Sequence, residues 1–519
     1  MVLVNYSLEG ARMNPRLPDV LRRAVRDTGI GVLVLAVIGS VAAGQRAGHG
    51  AGPAESKEAS WPVAGGGKSV AEILAATTPP NDSLGAETVA RLAEYIRINT
   101  SNPPGNELAT AHWLKDVLAR EGIEGHIVDT AELGPGRANF YAVLKGDGTQ
   151  KGIALVHHMD VVPVTPARWS VDAFGGVIKD GFLWGRGTLD MKGQGIIQLM
   201  AFIALKRSGV HLTRDILFIG NADEEEEGTG SQTFVRRHRD VLQNVEYLMT
   251  ESADTRVEGG RLKWWGINVG EKRAYWQELV VHGTASHASE PTSNNPVPRL
   301  ARAIVRAAAW NTPVRLTPPV DRYFKAEALY ETGPHHQWLA DAASALRNPN
   351  GRAWLLGDPG RNALLRNTVT PTVLHGAEVT NIIPGEATAN LDIRLLPDED
   401  TAAFKRELAR IIDDPKVEIR TLPGVMPRFS APTNTALFHA IEHVVHEIIP
   451  GVPIATVTDA GATDRPVYAG LGIACYGLTP YFIEMAIDRL GEHGDDERIP
   501  VNTVGWGVRF YVKLLGEMQ

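Results

Sequence analysis

The stretch GIALVHHMDVVPV, residues 152–164, decides the fold of this chain. The apolar run Gly152–Val156 is typical of a buried strand, and His158 and Asp160 follow it directly. In open α/β sheets, ligands bind where such strands end. The stretch therefore predicts a strand whose carboxyl end carries functional side chains.

Two more apolar runs end in the same way. Asp215–Gly220 precedes DEEEEGTGS (223–231), and Val245–Met249 precedes Glu251. The segments WGRGTLDMKGQG (184–195) and GEHGDDERI (491–499) add Asp190 and His493. A lone histidine or a glutamate run is more often a core hydrogen bond or a solvated face, but the set as a whole indicates a metal site. Mixed imidazole and carboxylate ligands point to zinc.

The fold class predicted from the pattern is α/β. Strand-like and helical segments alternate up to about residue 267, which is typical of a mostly parallel sheet with helices on both faces. From 268 to 423 the strand Ala274–His282, the helix Val297–Ala309, the strand Ala387–Leu395 and the helix Thr401–Ile412 predict an inserted α+β domain. A further insertion near 313–373 enlarges that domain. The catalytic domain then comprises residues 70–267 and 424–519.

Composition restricts the function classes. The chain has 519 residues, 44% of them hydrophobic, as in a two-domain soluble enzyme. The formal net charge of -8 and the lack of a basic stripe argue against a nucleic-acid partner. Cys475 is the one cysteine, so no intramolecular disulfide can form.

The N-terminal 44 residues predict a signal peptide or a membrane anchor. The basic stretch Arg22–Arg26 precedes the apolar run Ile30–Val41, and small residues follow it. The run is shorter than the roughly 20 residues that span a bilayer, which favours cleavage near Ala43 and an exported, periplasmic or secreted protein. An amphipathic cytosolic tail is the alternative. Residues 45–69 read as a flexible linker, and membrane contact is expected only through an uncleaved N-terminus.

Three motifs carry a resemblance to a known family. HMDVVP (158–163), GRGTLDMKG (185–193) and DEEEEGTGS (223–231) resemble the signature blocks of the dinuclear zinc aminoacylase and carboxypeptidase G family. That family includes acetylornithine deacetylase, succinyl-diaminopimelate desuccinylase and carnosinase-type dipeptidases. The resemblance runs from about Leu84 to the C-terminus. It implies a zinc-dependent exopeptidase-like catalytic domain, an inserted lid or dimerisation domain, and two Zn²⁺ per subunit, with Co²⁺ or Mn²⁺ as alternatives.

The resemblance implies a role for each candidate ligand. Asp190 would bridge the two ions, with His158 and Glu251 completing one and Glu225 and His493 the other. His157 is a rival for His158, and Asp254 is a rival for Glu251. Asp160 would orient the His158 ring through its second nitrogen.

The general base implied by the resemblance is Glu224. The acidic run 223–227 leaves the register ambiguous, because such a run also fits a solvated loop. The strand ending at Asp223 and the pair Gly230–Ser231 place Glu224 beside the water and Glu225 at the metal. Such a base carries the proton from water to the leaving nitrogen.

The lid is expected to contribute groups that face the substrate. His287 in GTASHAS (283–289) matches a histidine that the family donates from the partner subunit, which implies a homodimer through the lid. Asn381 and Arg394 match the pair that holds the substrate's carbonyl oxygen and terminal carboxylate. Thr463 in AGATDRPVY (460–468) falls near that carboxylate, where Arg465 departs from the family pattern.

Together these residues predict zinc-dependent hydrolysis of an amide bond in N-acyl amino acids or short peptides with a free α-carboxylate. One alternative is a reversible N-acyl amino acid synthase/hydrolase, and another is a carbamoyl-amino-acid hydrolase. A catalytically silent dimeric binding protein is a hypothesis of another class, which the presence of Glu224 and of every expected ligand opposes.

Overall fold

The computed structural model describes residues 67–253, 255–484 and 491–519. The predicted signal segment, nearly all of the linker and the rival ligand Asp254 lie outside these residues. Within the described ranges, no helix has both the length and the apolar character needed to cross a bilayer.

A ten-stranded sheet forms the centre of the fold, in the order β1-β10-β19-β8-β4-β7-β3-β2, with β9 and β18 also pairing with β10. Its strands and the small sheet beside it are β1 (Lys68–Ser69), β2 (Gly125–Val128), β3 (Asn139–Leu144), β4 (Gly152–His158), β5 (Val177–Lys179), β6 (Phe182–Trp184), β7 (Ile216–Asn221), β8 (Val245–Thr250), β9 (Arg256–Glu258), β10 (Arg261–Glu271), and, late in the chain, β18 (Ile454–Asp459), β19 (Ala474–Gly477) and β20 (Arg498–Pro500). β4, β7, β8 and β19 run parallel, whereas β2 and β3 form an antiparallel edge. The mostly parallel α/β sheet predicted from the sequence is confirmed.

Both faces of this sheet are covered. Every residue of β4 and β7 is buried, which requires packing on both sides of these strands. The helices around the sheet are α1 (Val70–Thr77), α2 (Ser83–Ile96), α3 (Glu107–Arg120), α4 (Thr130–Leu133), α5 (Lys192–Ser208), α6 (Thr229–Arg237), α7 (Arg239–Leu242), and, from the end of the chain, α15 (Ala436–Ile448), α16 (Arg465–Ala469) and α17 (Val501–Glu517). Helix α5 is buried along most of its length because it lies between the sheet and α17.

A second, antiparallel sheet of five strands lies in the middle of the chain. The strands of this region, with those of a two-stranded ribbon, are β11 (Arg273–Ala274), β12 (Gln277–His282), β13 (Ser286–His287), β14 (Thr368–His375), β15 (Ile382–Ile383), β16 (Glu386–Leu395) and β17 (Glu418–Thr421). Helices α8 (Pro296–Ala308) and α14 (Thr401–Ile412) share a separate apolar core with this sheet. The predicted boundary at 267 falls inside β10, which keeps pairing with β18 as far as Glu271.

The insertion predicted near 313–373 is helical. It contains α9 (Pro318–Ala328), α10 (Gly333–Ala340), α11 (Ala342–Ala345), α12 (Pro349–Gly357) and α13 (Pro359–Leu364). Its buried side chains, among them Phe324, Leu339 and Leu355, form an apolar cluster of their own. Helix α9 attaches this cluster to the main sheet, where Ala326 packs with Trp264 and Ala455.

Candidate metal centre and active site

Asp190 lies between two histidines. Its Oδ1 is 2.9 Å from Nε2 of His158, and its Oδ2 is 2.9 Å from Nε2 of His493. Each carboxylate oxygen therefore faces a different imidazole. A carboxylate placed in this way would be able to hold one cation with each oxygen.

A further carboxylate stands beside each histidine. Oε2 of Glu251 is 3.7 Å from Nε2 of His158, and Oε2 of Glu225 is 3.0 Å from Nε2 of His493. In each of the two groups of three, the potential ligand atoms lie within 4.8 Å of one another, and Asp190 belongs to both groups. The structure thus brings together all five residues that the sequence predicts as metal ligands.

The main sheet positions two of these five side chains. His158 is the last residue of β4, and Glu251 directly follows β8, the parallel neighbour of β4. Glu225 lies in the turn after β7 on the other side of β4. Asp190 precedes α5, and His493 lies in a loop where its φ of 57° is left-handed. The ligands that are far apart in sequence therefore meet where β4, β7 and β8 end.

The charges of this cluster fit two divalent cations. Burial and the Asp190 carboxylate raise the pKa of Glu251 to about 8, and hydrogen bonds to Asp190 and Glu225 raise that of His493 to about 10. Oε1 of Glu225 is buried without a hydrogen-bond partner. Cations between these oxygens and imidazoles would relieve the repulsion and give the unpartnered oxygen a ligand role.

His157, the rival for His158, has no free ring nitrogen. Its Nδ1 is 3.0 Å from the carbonyl oxygen of Ile219, and its Nε2 is 3.2 Å from the hydroxyl of Tyr95. Burial lowers the pKa of this ring to about 3. His157 is therefore a neutral core residue, and the interpretation that favours His158 agrees with the geometry.

Asp160 holds the loop that carries Glu224 and Glu225. Nδ1 of His158 is 3.0 Å from the carbonyl oxygen of Asp160 and 3.6 Å from the Asp160 carboxylate, so the carbonyl is the nearer partner of the ring. The carboxylate oxygens instead accept the backbone N–H groups of Glu224 and Glu225, each at 3.1 Å. The backbone carbonyl of Asp160 thus contacts the imidazole, and its carboxylate positions the two neighbouring glutamates.

Asn102 and Asp223 extend this support, and the sequence reasoning missed both. The Asn102 side-chain amide donates to Asp160 at 2.9 Å and to Asp223 at 2.8 Å. Asp223 also pairs with Nη1 of Arg137 at 2.5 Å. The sequence signal for Asp223 was its place in the acidic run, but nothing local indicates that Asn102, about 120 residues earlier, reaches it.

Glu497 joins the two segments that carry Asp190 and His493. It is fully buried, and its carboxylate accepts the backbone N–H groups of Gly187, Leu189 and Asp190 at 3.0, 2.6 and 3.2 Å. It also pairs with Nη1 of Arg186 at 2.8 Å, and Arg186 reaches the carbonyl of Gly494. One carboxylate therefore fixes the turn before Asp190 against the loop of His493.

Replacing Glu497 with glutamine is expected to weaken binding of the metals about 10- to 100-fold, because it removes the charge that pairs with Arg186 and holds the Asp190 turn. Competition with a chromophoric chelator measures the affinity. Glu492 is not a suitable control because it adjoins a ligand candidate, so the exposed residue Glu94 on α2 is replaced by glutamine instead. Unchanged affinity in the Glu497 variant would contradict the role given to it.

Glu224 lies half-buried at the edge of the ligand cluster. Burial raises the pKa of its carboxyl well above the usual value, His158 opposes the shift, and Glu251 and Asp464 add to it. The positions of Glu224 and Glu225 in the turn after β7 depend on Gly230, which packs against the backbone at the start of this turn. A Cβ at Gly230 would come within 1.9 Å of the carbonyl oxygen of Ala222. Only glycine permits this close approach, so the turn between β7 and α6 has a defined length.

The predicted lid residues lie on the second sheet and its ribbon. His287 is on β13, exposed, with Nδ1 2.7 Å from the hydroxyl of Ser289. The backbone N–H of Ala288 donates to the carbonyl of Asn381 at 2.9 Å, so His287 and Asn381 lie side by side. The described contacts connect neither residue with the metal ligands.

Arg394 is at the end of β16. Its Nε and Nη2 donate to the carboxylate of Asp392 at 2.9 and 3.3 Å, and its guanidinium lies 5.9 Å from the centroid of the Trp276 ring. Asp392 thus orients the guanidinium. A substrate carboxylate would have to share the guanidinium with this residue.

Thr463 forms hydrogen bonds with Glu271, which also forms a buried ion pair with Arg465 that the sequence did not predict. Its hydroxyl and its backbone N–H both donate to Glu271, which also accepts from Nε of Arg465 at 2.7 Å. Glu271 and Arg465 are buried, and a Cβ at Gly477 would come within 2.3 Å of Nη1 of Arg465. Arg465, which departs from the family pattern, is therefore a structural partner of Glu271.

Comparison with known proteins identifies the family. The model of peptidase family M20/M25/M40 matches residues 154–517, most of the chain. The chain belongs to this family. Membership in peptidase family M20/M25/M40 confirms the resemblance seen in the sequence and the enzyme class predicted from it, a metal-dependent hydrolase of amide bonds.

Relatives in the family differ in their described activities. An N-fatty-acyl-amino acid synthase/hydrolase of Xenopus tropicalis is 27% identical over 402 residues, which cover 73% of this chain and 75% of the relative. A probable succinyl-diaminopimelate desuccinylase of Staphylococcus aureus is 24% identical over 389 residues, 74% of this chain and 86% of the relative. The M20 family metallo-carboxypeptidase of Sulfolobus solfataricus shares the fold, with a TM-score of 0.64, 18% identity, and coverage of 83% of this chain and 98% of that one.

Proposed function

We propose that this protein is a dinuclear zinc hydrolase that cleaves the amide bond of N-acyl amino acids or short peptides with a free α-carboxylate. The observation that carries the proposal is that Asp190 belongs to both groups of potential ligands. The carboxylate of Glu224 lies beside these groups and belongs to neither. Two imidazoles with three carboxylates suit zinc, and they also accept Co²⁺ or Mn²⁺. When bound, the two ions would polarise the amide carbonyl and lower the pKa of a water molecule.

Glu224 is the proton carrier in this proposal. Its raised pKa means that it holds a proton more readily than an exposed glutamate, so it can accept one from the attacking water. The same carboxyl then returns the proton to the leaving nitrogen. Asp160 keeps the backbone of Glu224 in place during both transfers.

The test is hydrolysis of a substrate panel by the zinc-loaded protein, measured as amine release. We expect N-acetyl amino acids and dipeptides with a free carboxylate to react, and their methyl esters to lose about 1.5–3 kcal/mol of transition-state binding, the contribution of a charged hydrogen bond to Arg394. Arg394→Met should abolish this preference. Equal rates for acids and esters would discard the carboxylate contact, and no turnover of any compound would contradict the hydrolase itself.

A reversible N-acyl amino acid synthase/hydrolase is the second candidate, favoured by the name of the Xenopus tropicalis relative. Condensation is the reverse of the same reaction and needs the same residues. Mass spectrometry of products at high concentrations of fatty acid and amino acid distinguishes the two. Absence of the N-acyl amino acid under conditions in which its equilibrium level is detectable would contradict this candidate.

A homodimer through the lid is part of the proposal. Six large apolar side chains are exposed in one region of the lid: Val297, Val305, Val373, Leu374, Val379 and Ile382. Strand β14, which carries two of them, pairs only with β16 among the described strands and leaves an open edge. A second copy could pair with this edge and cover the apolar side chains.

His287 is proposed to act on the substrate in the partner's site. Mixing inactive His287→Ala and Glu224→Ala proteins after dissociation is then expected to restore roughly a quarter of the normal activity, because half of the dimers carry one complete site. Light scattering establishes that mixed dimers form. No recovery in mixed dimers would contradict the assignment, and each variant taken alone through the same dissociation and reassociation serves as the control.

Export remains a proposal that depends on the N-terminal sequence alone. Cleavage near Ala43 would give a shortened N-terminus that mass spectrometry of the protein recovered from its producing cells can identify.

A further inference from the structure

A cavity of about 450 Å³ begins at Ser252 and Ala253, the two residues after the metal-ligand candidate Glu251. On one side it is lined by the end of β18, including Asp459. On the other side it is lined by α9 and α13 of the helical insertion, through side chains such as Tyr323 and Glu327. The cavity therefore lies between the residues that follow Glu251 in the chain and the insertion.

The insertion is a fixed wall of this cavity. Nε of Arg322 on α9 donates to the carbonyl of Ile454 on β18 at 3.2 Å, and the hydroxyl of Thr456 donates to the carbonyl of Pro319 at 2.9 Å. Side-chain packing of Trp264 against Tyr323 adds to these hydrogen bonds. Because α9 is tied to the sheet strand that carries Asp459, the two sides of the cavity keep their separation.

The charged groups around the cavity leave an excess of negative charge. Three lining residues are carboxylates and two are guanidiniums: Asp358, Glu327, Asp459, Arg256 and Arg361. Arg361 lies 3.2 Å from Glu327 and 3.9 Å from Asp358, so one guanidinium serves two carboxylates. Arg256 pairs at 2.6 Å with Glu258, which does not line the cavity.

Two carboxylates in the wall retain capacity for a cation. Asp459 accepts the hydroxyl of Ser252 and the backbone N–H of Gly461, and among the described residues no lysine or arginine forms an ion pair with it. Oε2 of Glu327 is buried without a hydrogen-bond partner. Burial raises the pKa of Glu327, and Arg361 and Arg256 only partly oppose this, so a further positive group would stabilise the carboxylate.

We propose that this cavity is a subsite for a cationic substrate group, an ammonium or guanidinium, with Asp459 and Glu327 as its recognition carboxylates. The proposal rests on the proposed function and adds a substrate class to it. Apolar wall atoms of Val320, Tyr323 and Leu364 suit the aliphatic stem that carries such a group. A long fatty acyl chain is disfavoured here, because it would remove water from the carboxylates without replacing its hydrogen bonds.

The cation can come from two places in a substrate. The free α-ammonium of a dipeptide would lie close to the scissile bond, nearest to Asp459 beside Ser252. The side chain of a lysine-like residue would extend along the cavity to Glu327. The experiment therefore uses a pair of substrates for each source.

The kcat/KM of the full-length zinc-loaded protein is measured for two matched pairs. N-acetyl-lysine against N-acetyl-norleucine tests the side chain, and alanyl-alanine against N-propionyl-alanine tests the α-ammonium. We expect the cationic member of at least one pair to be preferred about tenfold, as one hydrogen bond between charged groups predicts. N-lauroyl-alanine tests the fatty acyl chain, and calorimetric binding of lysine against norleucine gives a comparison without turnover.

Variants then assign the preference. Glu327→Gln should abolish a side-chain preference and Asp459→Asn an α-ammonium preference, while kcat/KM for the neutral member stays within about twofold of its normal value. Glu331→Gln, the same change outside the cavity wall, should alter neither ratio.

The outcomes separate this inference from the function on which it rests. Hydrolysis of both members of each pair at equal rates, or a preference for the lauroyl substrate, would overturn the cationic subsite and leave the hydrolase intact. A preference that both cavity variants retain would also overturn it. Failure to hydrolyse any of the five substrates would instead contradict the proposed function.

Discussion

Replacing Glu224 with glutamine is expected to lower kcat about 10²- to 10⁴-fold while leaving the protein folded and loaded with metal. Glutamine keeps the size of the side chain but cannot accept the proton of the attacking water. The five ligand candidates are unchanged, and the backbone hydrogen bond from residue 224 to Asp160 does not depend on the side chain. Steady-state kinetics with N-acetyl amino acids, together with metal analysis by mass spectrometry, measures both quantities.

The neighbouring residue Glu226 provides the matched control. It belongs to the same acidic run but is exposed, so Glu226→Gln should retain nearly full activity. If the two variants lost activity equally, the register chosen for the acidic run would be wrong. If the Glu224 variant lost its metals as well as its activity, Glu224 would be a ligand rather than the proton carrier.

Replacing Asp190 with alanine is expected to remove both metals, with a loss of activity as large as that of the Glu224 variant. Asp190 contacts both histidines with separate oxygens, and its removal leaves each ion with only two protein ligands. Glu251→Ala and Glu225→Ala should each affect mainly one ion, because each belongs to one set. Metal content per chain after gel filtration distinguishes these cases.

The thermal stability of the same variants gives an independent measurement. Metals that bind only the folded protein raise Tm, so added zinc should stabilise the normal protein and the Asp190 variant should lose this response. Asp116→Ala is a suitable control, since that residue is exposed on helix α3, where alanine causes no backbone strain. Retention of both ions by the Asp190 variant would contradict its bridging position.

Strands with continuous apolar runs were predictable because the run itself requires burial on both faces. Gly152–Val156 lies within β4, and Asp215–Gly220 differs from β7 by one residue at each end. Helix Thr401–Ile412 was predicted with its observed bounds, and the Asp400 side chain that caps it accepts the N–H of Ala403 at 2.9 Å. A start signal and a clear apolar period agree at this helix.

Helix α2 begins at a local cap, because Asp82 accepts the N–H of Gly85 at 2.9 Å and starts the helix at Ser83. The predicted strand Ala274–His282 is two strands, since β11 ends at Ala274 and β12 begins at Gln277. Unlike the cap of α2, the gap between these two strands has no local signal in the sequence.

The five ligand candidates, which the structure brings together, were visible in the sequence because each lies in a motif with a recognisable neighbourhood. The residues that support them were not, since Glu497 and Asn102 act through backbone groups and carboxylates that are distant in sequence. Arg465 was noticed only as a departure from the family pattern, and its buried partner Glu271 lies almost two hundred residues earlier. A single sequence contains no signal that pairs such residues.

The helical insertion has its own apolar core, separate from the core of the sheet that holds the metal ligands. Changes to the inner surface of α13 can therefore be absorbed within that small core, whereas changes to α9 also reach β18, to which it is hydrogen-bonded. On the proposed assignment, the chemistry belongs to the sheet, and selectivity is divided between Glu327 of the insertion and Asp459 of β18. Substitutions within the roughly fifty residues of the insertion, made in the laboratory or accumulated in evolution, could change the substrate preference of the enzyme and keep its reaction intact.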